Sequence, residues 1–145
     1  MENVRQYMTA GIGIVWGGVS VLVGGWDQGI LTLLIMMAID YITGLVVAGV
    51  FKKSGKSENG ALESRAGFKG LCRKGVIILI VVIAVRLDLL LETDFIRNMT
   101  IIAFVVNEII SIVENVGLMG VPIPGVITRS IDILKSKTEG TKKDE

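Results

Sequence analysis

The sequence has no histidine and a single cysteine, Cys72. An intrachain disulfide is therefore impossible, and neither a Cys/His metal centre nor histidine acid–base chemistry can be assembled. Aromatic residues make up 6% of the chain and are not interleaved with the basic ones, which leaves nucleobases nothing to stack on and excludes a nucleic-acid partner. The formal net charge is only +1. No phosphate loop, nucleophile with a base, or metal-ligand constellation is present, so the chain reads as a non-enzyme with no cofactor and no metal. What polar chemistry it has must come from carboxylates, amides, hydroxyls and cationic side chains.

What is abundant is apolar sequence, 51% of 145 residues, sharply segregated from the 20% that are charged. Four apolar runs stand out, at 8–25, 29–51, 75–91 and 98–118. Runs of this order can cross a hydrocarbon core about 30 Å thick, and several of them exclude an ordinary soluble core. The fold class is thus all-α, an integral membrane bundle of about four transmembrane helices over residues 1–121. A three-span arrangement follows if the first or third run lies along the interface instead. The first run is not read as a cleaved signal peptide, because its head carries only Glu2 and Arg5 and no A-x-A-like site follows.

Between the second and third runs lies a basic connector, 52–74, with Lys52, Lys53, Lys56, Arg65, Lys69, Arg73 and Lys74 against Glu58 and Glu63. The positive-inside rule assigns it to the cytoplasm, where such residues also attract anionic lipid. Asp27, Glu92, Asp94 and Arg97 then fall outside. Gly117, Gly120, Pro122 and Pro124 end the fourth run. Residues 122–145 read as a cytoplasmic amphipathic segment, with Ile127, Ile131 and Leu134 on one side, followed by a charged disordered tail with Lys135, Lys137, Lys142 and Lys143. Both termini are expected to be cytoplasmic.

Polar residues inside the runs are the candidates for function. Asp40 lies 11 residues from either end of the second run, where a carboxylate costs about 2.5–3.5 kcal/mol even on lenient insertion scales. It shares a helix face with Thr43 and Gly44, so either it satisfies a neighbouring helix or it faces water. In the fourth run, at about 100° per residue from Asn107, Glu114 falls near −20°, Thr100 near +20°, Ser111 near +40°, Asn115 near +80° and Glu108 near +100°. They share one polar face, opposite a lipid-compatible one of Ile102, Val105, Val106, Ile109, Ile112, Val113 and Val116. Such a face either lines water or hides in a bundle core. Glu108 matches the depth of Asp40, and the two are expected to meet. Arg86 and Asp88, two residues apart, point to different faces and do not pair; Arg86 is expected to snorkel to the headgroups. In the first run Ala10, Gly13, Gly17, Ser20 and Gly24 form a small-residue stripe, suited to close packing within one chain or between subunits.

Several of these residues also carry a resemblance. Asp40-Tyr41-Ile42-Thr43-Gly44, then Ser64, Gly67, Gly70 and Lys74, and above all Asn107-Glu108, Ser111-Ile112, Glu114-Asn115 and the block from Gly117 to Pro124 resemble the phage holin family that includes clostridial toxin-release proteins. The similarity runs from about Leu31 to Lys135. It implies a multi-pass protein of the bacterial host's cytoplasmic membrane that oligomerises with itself and opens pores. Its functional partner would be a cell-wall hydrolase (endolysin) or a toxin, with no direct contact required. The residues by themselves also admit a small proton-coupled transporter or ion channel built on a midplane carboxylate, or a passive membrane scaffold.

Overall fold

The computed structural model describes residues 1–140 of the chain. Among them the structure is all-helical: α1 (Glu2–Leu22), α2 (Gln28–Val46), α3 (Ser64–Leu91), α4 (Ile96–Leu118) and α5 (Gly125–Gly140), with α2 continuing through one π-helical turn, Val47–Phe51. Residues 28–51 and 96–118 are each long and apolar enough to cross a membrane. At 1.5 Å per residue they reach about 35 Å, slightly more than the hydrocarbon core needs.

The local signals that end each helix are explicit. Asp27 caps α2, its Oδ1 accepting from the Ile30 N–H at 3.0 Å. The first helix stops at Leu22, short of the expected residue 25, because Gly24 and Gly25 adopt φ of +78° and +99° and turn the chain. Glu92 ends α3 in the left-handed region at φ 54°, and Gly120, at +79°, follows α4. The third helix begins at Ser64, eleven residues before the apolar run expected from 75, so half of the connector is helical rather than loop. In the same way α5 extends to Gly140, and the part of the tail expected to be disordered between Lys135 and Gly140 is helix. Lys142 and Lys143 lie outside the described residues.

Packing centres on α4, which touches α2, α3 and α5. The core is Val23, Ile30, Leu33, Met37, Ile77, Val81, Ile101 and Val105. The aliphatic side of α4 is therefore not a free lipid surface: Val105 and Val106 are buried and Ile109 packs on the core. Buried Ile131 anchors α5, the amphipathic segment after residue 122, against α4. By contrast α1 buries none of its residues.

Around this aliphatic core, charged and polar groups are buried while much of the outer surface is apolar. Asp40, Asp88, Arg97, Glu108 and Asn115 are buried, whereas Leu31, Ile35, Ile39 and Ile42 on α2 and Leu79, Ile83, Leu87 and Leu90 on α3 are exposed. Those aliphatic residues recur at intervals of three and four, forming stripes along their helices. Water is a poor solvent for such stripes, and hydrocarbon is a good one.

Candidate functional site

Three helices converge on one charged cluster. The Lys74 ammonium of α3 donates to Asp40 Oδ2 of α2 at 2.8 Å and to Glu108 Oε2 of α4. The three side chains are only 8–12% exposed. One turn further along α2, Thr43 Oγ1 donates to the Asp40 carbonyl at 3.0 Å. Asn115, seven residues after Glu108 and so on the same side of α4, donates from Nδ2 to Thr43 Oγ1 at 3.0 Å and to Asp40 Oδ1 at 3.3 Å. Asp40 thus has partners on both carboxylate oxygens. One ammonium between two carboxylates cancels one of the two negative charges, and the amide and hydroxyl dipoles support the remainder.

Asp40 and Glu108 do come together, as their matched depth implies, but they do so through Lys74. That lysine, grouped by sequence with the surface basic residues, is drawn inward because α3 continues below the apolar run and carries position 74 into the bundle. Lys52, Lys53, Lys56, Arg65, Lys69 and Arg73 are exposed. Lys56 also reaches Ser111 Oγ at 3.5 Å, tying the connector to α4.

The polar face of α4 is divided by this arrangement. Glu108 and Asn115 are buried, and Ser111 is half-buried. Asn107, Glu108 and Ser111 border an open cavity of about 670 Å³ between α2, α3, α4 and the connector, with Asp40 and Lys74 in its wall. Thr100 is half-buried and Glu114 exposed, and neither borders the cavity.

The small-residue stripe of α1 is split as well. Ala10, Gly13 and Gly17 are exposed, and a Cβ at Gly13 or Gly17 would meet nothing within 4 Å. At those positions the stripe does not pack against the rest of the chain. Ser20 is half-buried, and Gly24 belongs to the turn, not the helix. Gly44 faces its own chain: a Cβ there would lie 3.8 Å from Asn115 Nδ2, an ordinary contact.

A second cluster, at the end of the bundle that carries the α1–α2 and α3–α4 turns, has no counterpart among the sequence patterns. The Arg97 guanidinium donates from Nε to the Val23 carbonyl at 2.6 Å, from Nη2 to the Gly25 carbonyl at 3.1 Å, and from Nη1 to Asp27 Oδ2 at 2.6 Å. A Cβ at Gly24 would lie 2.9 Å from Arg97 Nε, so the turn must be glycine for the guanidinium to nest against it. Asp88 replaces the cap that Phe95 cannot provide: its carboxylate accepts from the N–H groups of Ile96 (3.0 Å) and Arg97 (2.8 Å) and from Thr93 Oγ1 (2.7 Å). Arg86 is exposed and makes no ion pair with Asp88. One sequence signal does point here. A cation in the first turn of a helix sits at the wrong end of the macrodipole and requires a compensating acceptor.

The hydrogen bond from Arg97 holds the Asp27 carboxyl below its ordinary range, with the Ile30 N–H adding to it against a smaller opposing effect of burial. A depressed carboxylate stabilises the fold above its unfolded-state pKa, and that contribution disappears as pH falls through the folded value. Thermal stability in detergent is therefore expected to fall below about pH 4 in the parent protein. Asp27→Asn should flatten that part of the profile; an unchanged acid limb would show that this pair does not set it.

A bundle with charged residues inside and aliphatic stripes outside is a small helical membrane protein. Residues 17–136 match the bacteriophage holin family, and the chain belongs to that family. It is 32% identical over 115 residues to a protein of Bacillus phage phi105 described as a probable holin, covering 78% of this chain and 79% of that one. It is 36% identical over 145 residues to an uncharacterized 14.9 kDa protein in the nagH 3' region of Clostridium perfringens, covering 94% and 99% of the two chains. An uncharacterized protein of Halalkalibacterium halodurans is 40% identical over 141 residues, covering 93% and 96%. No solved structure matches the chain.

Proposed function

We propose that this protein is a lysis holin: it accumulates in the bacterial cytoplasmic membrane, oligomerises, and opens pores through which a cell-wall hydrolase, or in some settings a toxin, leaves the cell. The observation that carries the reading is the buried Asp40–Lys74–Glu108 cluster with Asn115 and Thr43 beside it. A polar network satisfied within one chain lets the protein be tolerated in lipid. The same groups can line water once the helices separate. Four spans are proposed, with the connector and the C-terminal segment cytoplasmic, as the clustering of basic residues on one side favours.

In the closed chain, Lys74 ties α3 to both α2 and α4, and opening consists of parting those contacts in an oligomer. Asn107, Glu108, Ser111 and Glu114 of α4 then face the hole. Seam contacts between copies fall to Ala10, Gly13 and Gly17 on α1, whose small side chains permit close approach. Because a unit charge moved through 100 mV is worth about 2.3 kcal/mol, collapse of the membrane potential is a trigger of useful size for such a charged cluster.

The test is inducible expression in bacteria with and without a co-expressed endolysin. Abrupt loss of potential followed by endolysin-dependent lysis is expected. A saturable flux of one small solute in cells that stay viable would instead favour a transporter, a reading that the charged cavity wall also accommodates.

A further inference from the structure

The cavity beside the charged cluster has a form that lysis does not require. On α3 its wall is formed by Lys69, Gly70, Arg73, Val76, Ile77 and Ile80. These positions recur at one, three and four residues and so make one stripe about 16 Å long. The stripe is basic at the connector end and aliphatic at the other. Facing it are Tyr41, Leu45 and Ala48 of α2, and Phe104 of α4. Gly67 and Gly70 leave room for the Tyr41 ring, whose hydroxyl lies 3.5 Å from a Cβ position at Gly67.

The charges at the mouth are unequal. Lys74 is engaged by Asp40 and Glu108, leaving exposed Lys56, Lys69 and Arg73 against Glu63 alone. The mouth therefore offers cations, and the walls beyond it are apolar and open sideways past Leu45, Val76 and Ile80, which are 37%, 52% and 38% exposed.

We propose that this cleft between α2 and α3 holds an anionic phospholipid, its phosphate at Lys69 and Arg73 and one acyl chain along Val76, Ile77 and Ile80. A free inorganic anion would use the mouth but not the aliphatic stripe. A neutral lipid would use the stripe but leave the cations unmatched. The surplus negative charge of Asp40 and Glu108 keeps the phosphate at the mouth rather than in the depth of the cavity. The site depends on the chain lying in a bilayer and not on pore formation.

The experiment is binding to the purified full-length protein in neutral detergent, with phosphatidylglycerol, phosphatidylcholine and inorganic phosphate as probes and native mass spectrometry as the readout. Phosphatidylglycerol should be retained preferentially. Lys69→Gln with Arg73→Gln should weaken that retention about tenfold or more, as the loss of two cation–phosphate contacts implies. Lys53→Gln with Arg65→Gln removes the same charge from exposed positions off the cavity and should leave it intact. Ile80→Trp, which narrows the aliphatic end, should also reduce retention. Equal losses in both charge pairs would reduce the effect to general surface electrostatics and overturn the site. Equal protection by inorganic phosphate would overturn the lipid as occupant. Either result would leave endolysin-dependent lysis untouched, and failed lysis would leave lipid retention untouched.

Discussion

Replacing Lys74 with methionine is expected to destabilise the bundle by about 3–5 kcal/mol, the cost of breaking a buried ion pair on one side only. Methionine fills much the same volume, so the loss is electrostatic and not a cavity. Asp40 and Glu108 would then face each other in the bundle with no cation between them, at exposures of 8% and 9%. Removing all the charges together, as Lys74→Met with Asp40→Asn and Glu108→Gln, should recover most of the loss, because the uncompensated carboxylates are what is costly. Thermal unfolding in detergent measures both. In cells the single variant should advance the onset of lysis, since the closed arrangement is the one weakened. A single variant as stable as the parent would remove Lys74 from the groups that hold the helices together.

Arg97→Met is expected to produce the next largest effect, a loss of about 2–4 kcal/mol, in the range for breaking charge-assisted hydrogen bonds in a buried setting. The guanidinium joins the α1–α2 turn to α4 through two carbonyls and Asp27. A specific optical signal accompanies it. The chain has two tryptophans, and Trp16 and Trp26 stack with ring centroids 4.6 Å apart. Intrinsic fluorescence therefore reports on how α1 sits against the turn. Arg97→Met should shift the emission by releasing that turn, whereas Lys74→Met should leave it near the parent value. Emission unchanged in the first variant would mean that the tryptophan stack and the glycine turn hold α1 without the arginine.

The ease with which these features can be seen in the sequence differs for physical reasons. Asp40 and Glu108 betray themselves because a carboxylate inside an apolar run is expensive, and equal depth on two helices invites contact. Lys74 gives no such sign. It ends a basic stretch, and the same positive-inside logic that suits exposed Lys52 and Lys69 assigns it to the surface. Only the length of α3, whose start at Ser64 lies within the connector, brings it inside. Arg97 and Asp27 are separated by 70 residues, and each lies at the start of a helix beside a polar turn, where charge is common. No periodicity links them. The polar face of α4 is visible as an angular cluster, but periodicity cannot say which members a neighbouring helix will cover; Asn115 is buried and Glu114, its neighbour in sequence, is exposed.

The lack of buried residues on α1 bears on timing. If copies associate through α1, as proposed above, the helix has little beyond the Trp16–Trp26 stack to undo before joining another chain, and its association is expected to follow mass action. Copy number per area of membrane then becomes the controlling variable. The first helix would serve as a counter, and the charged cluster deeper in the bundle as the latch that the count eventually releases.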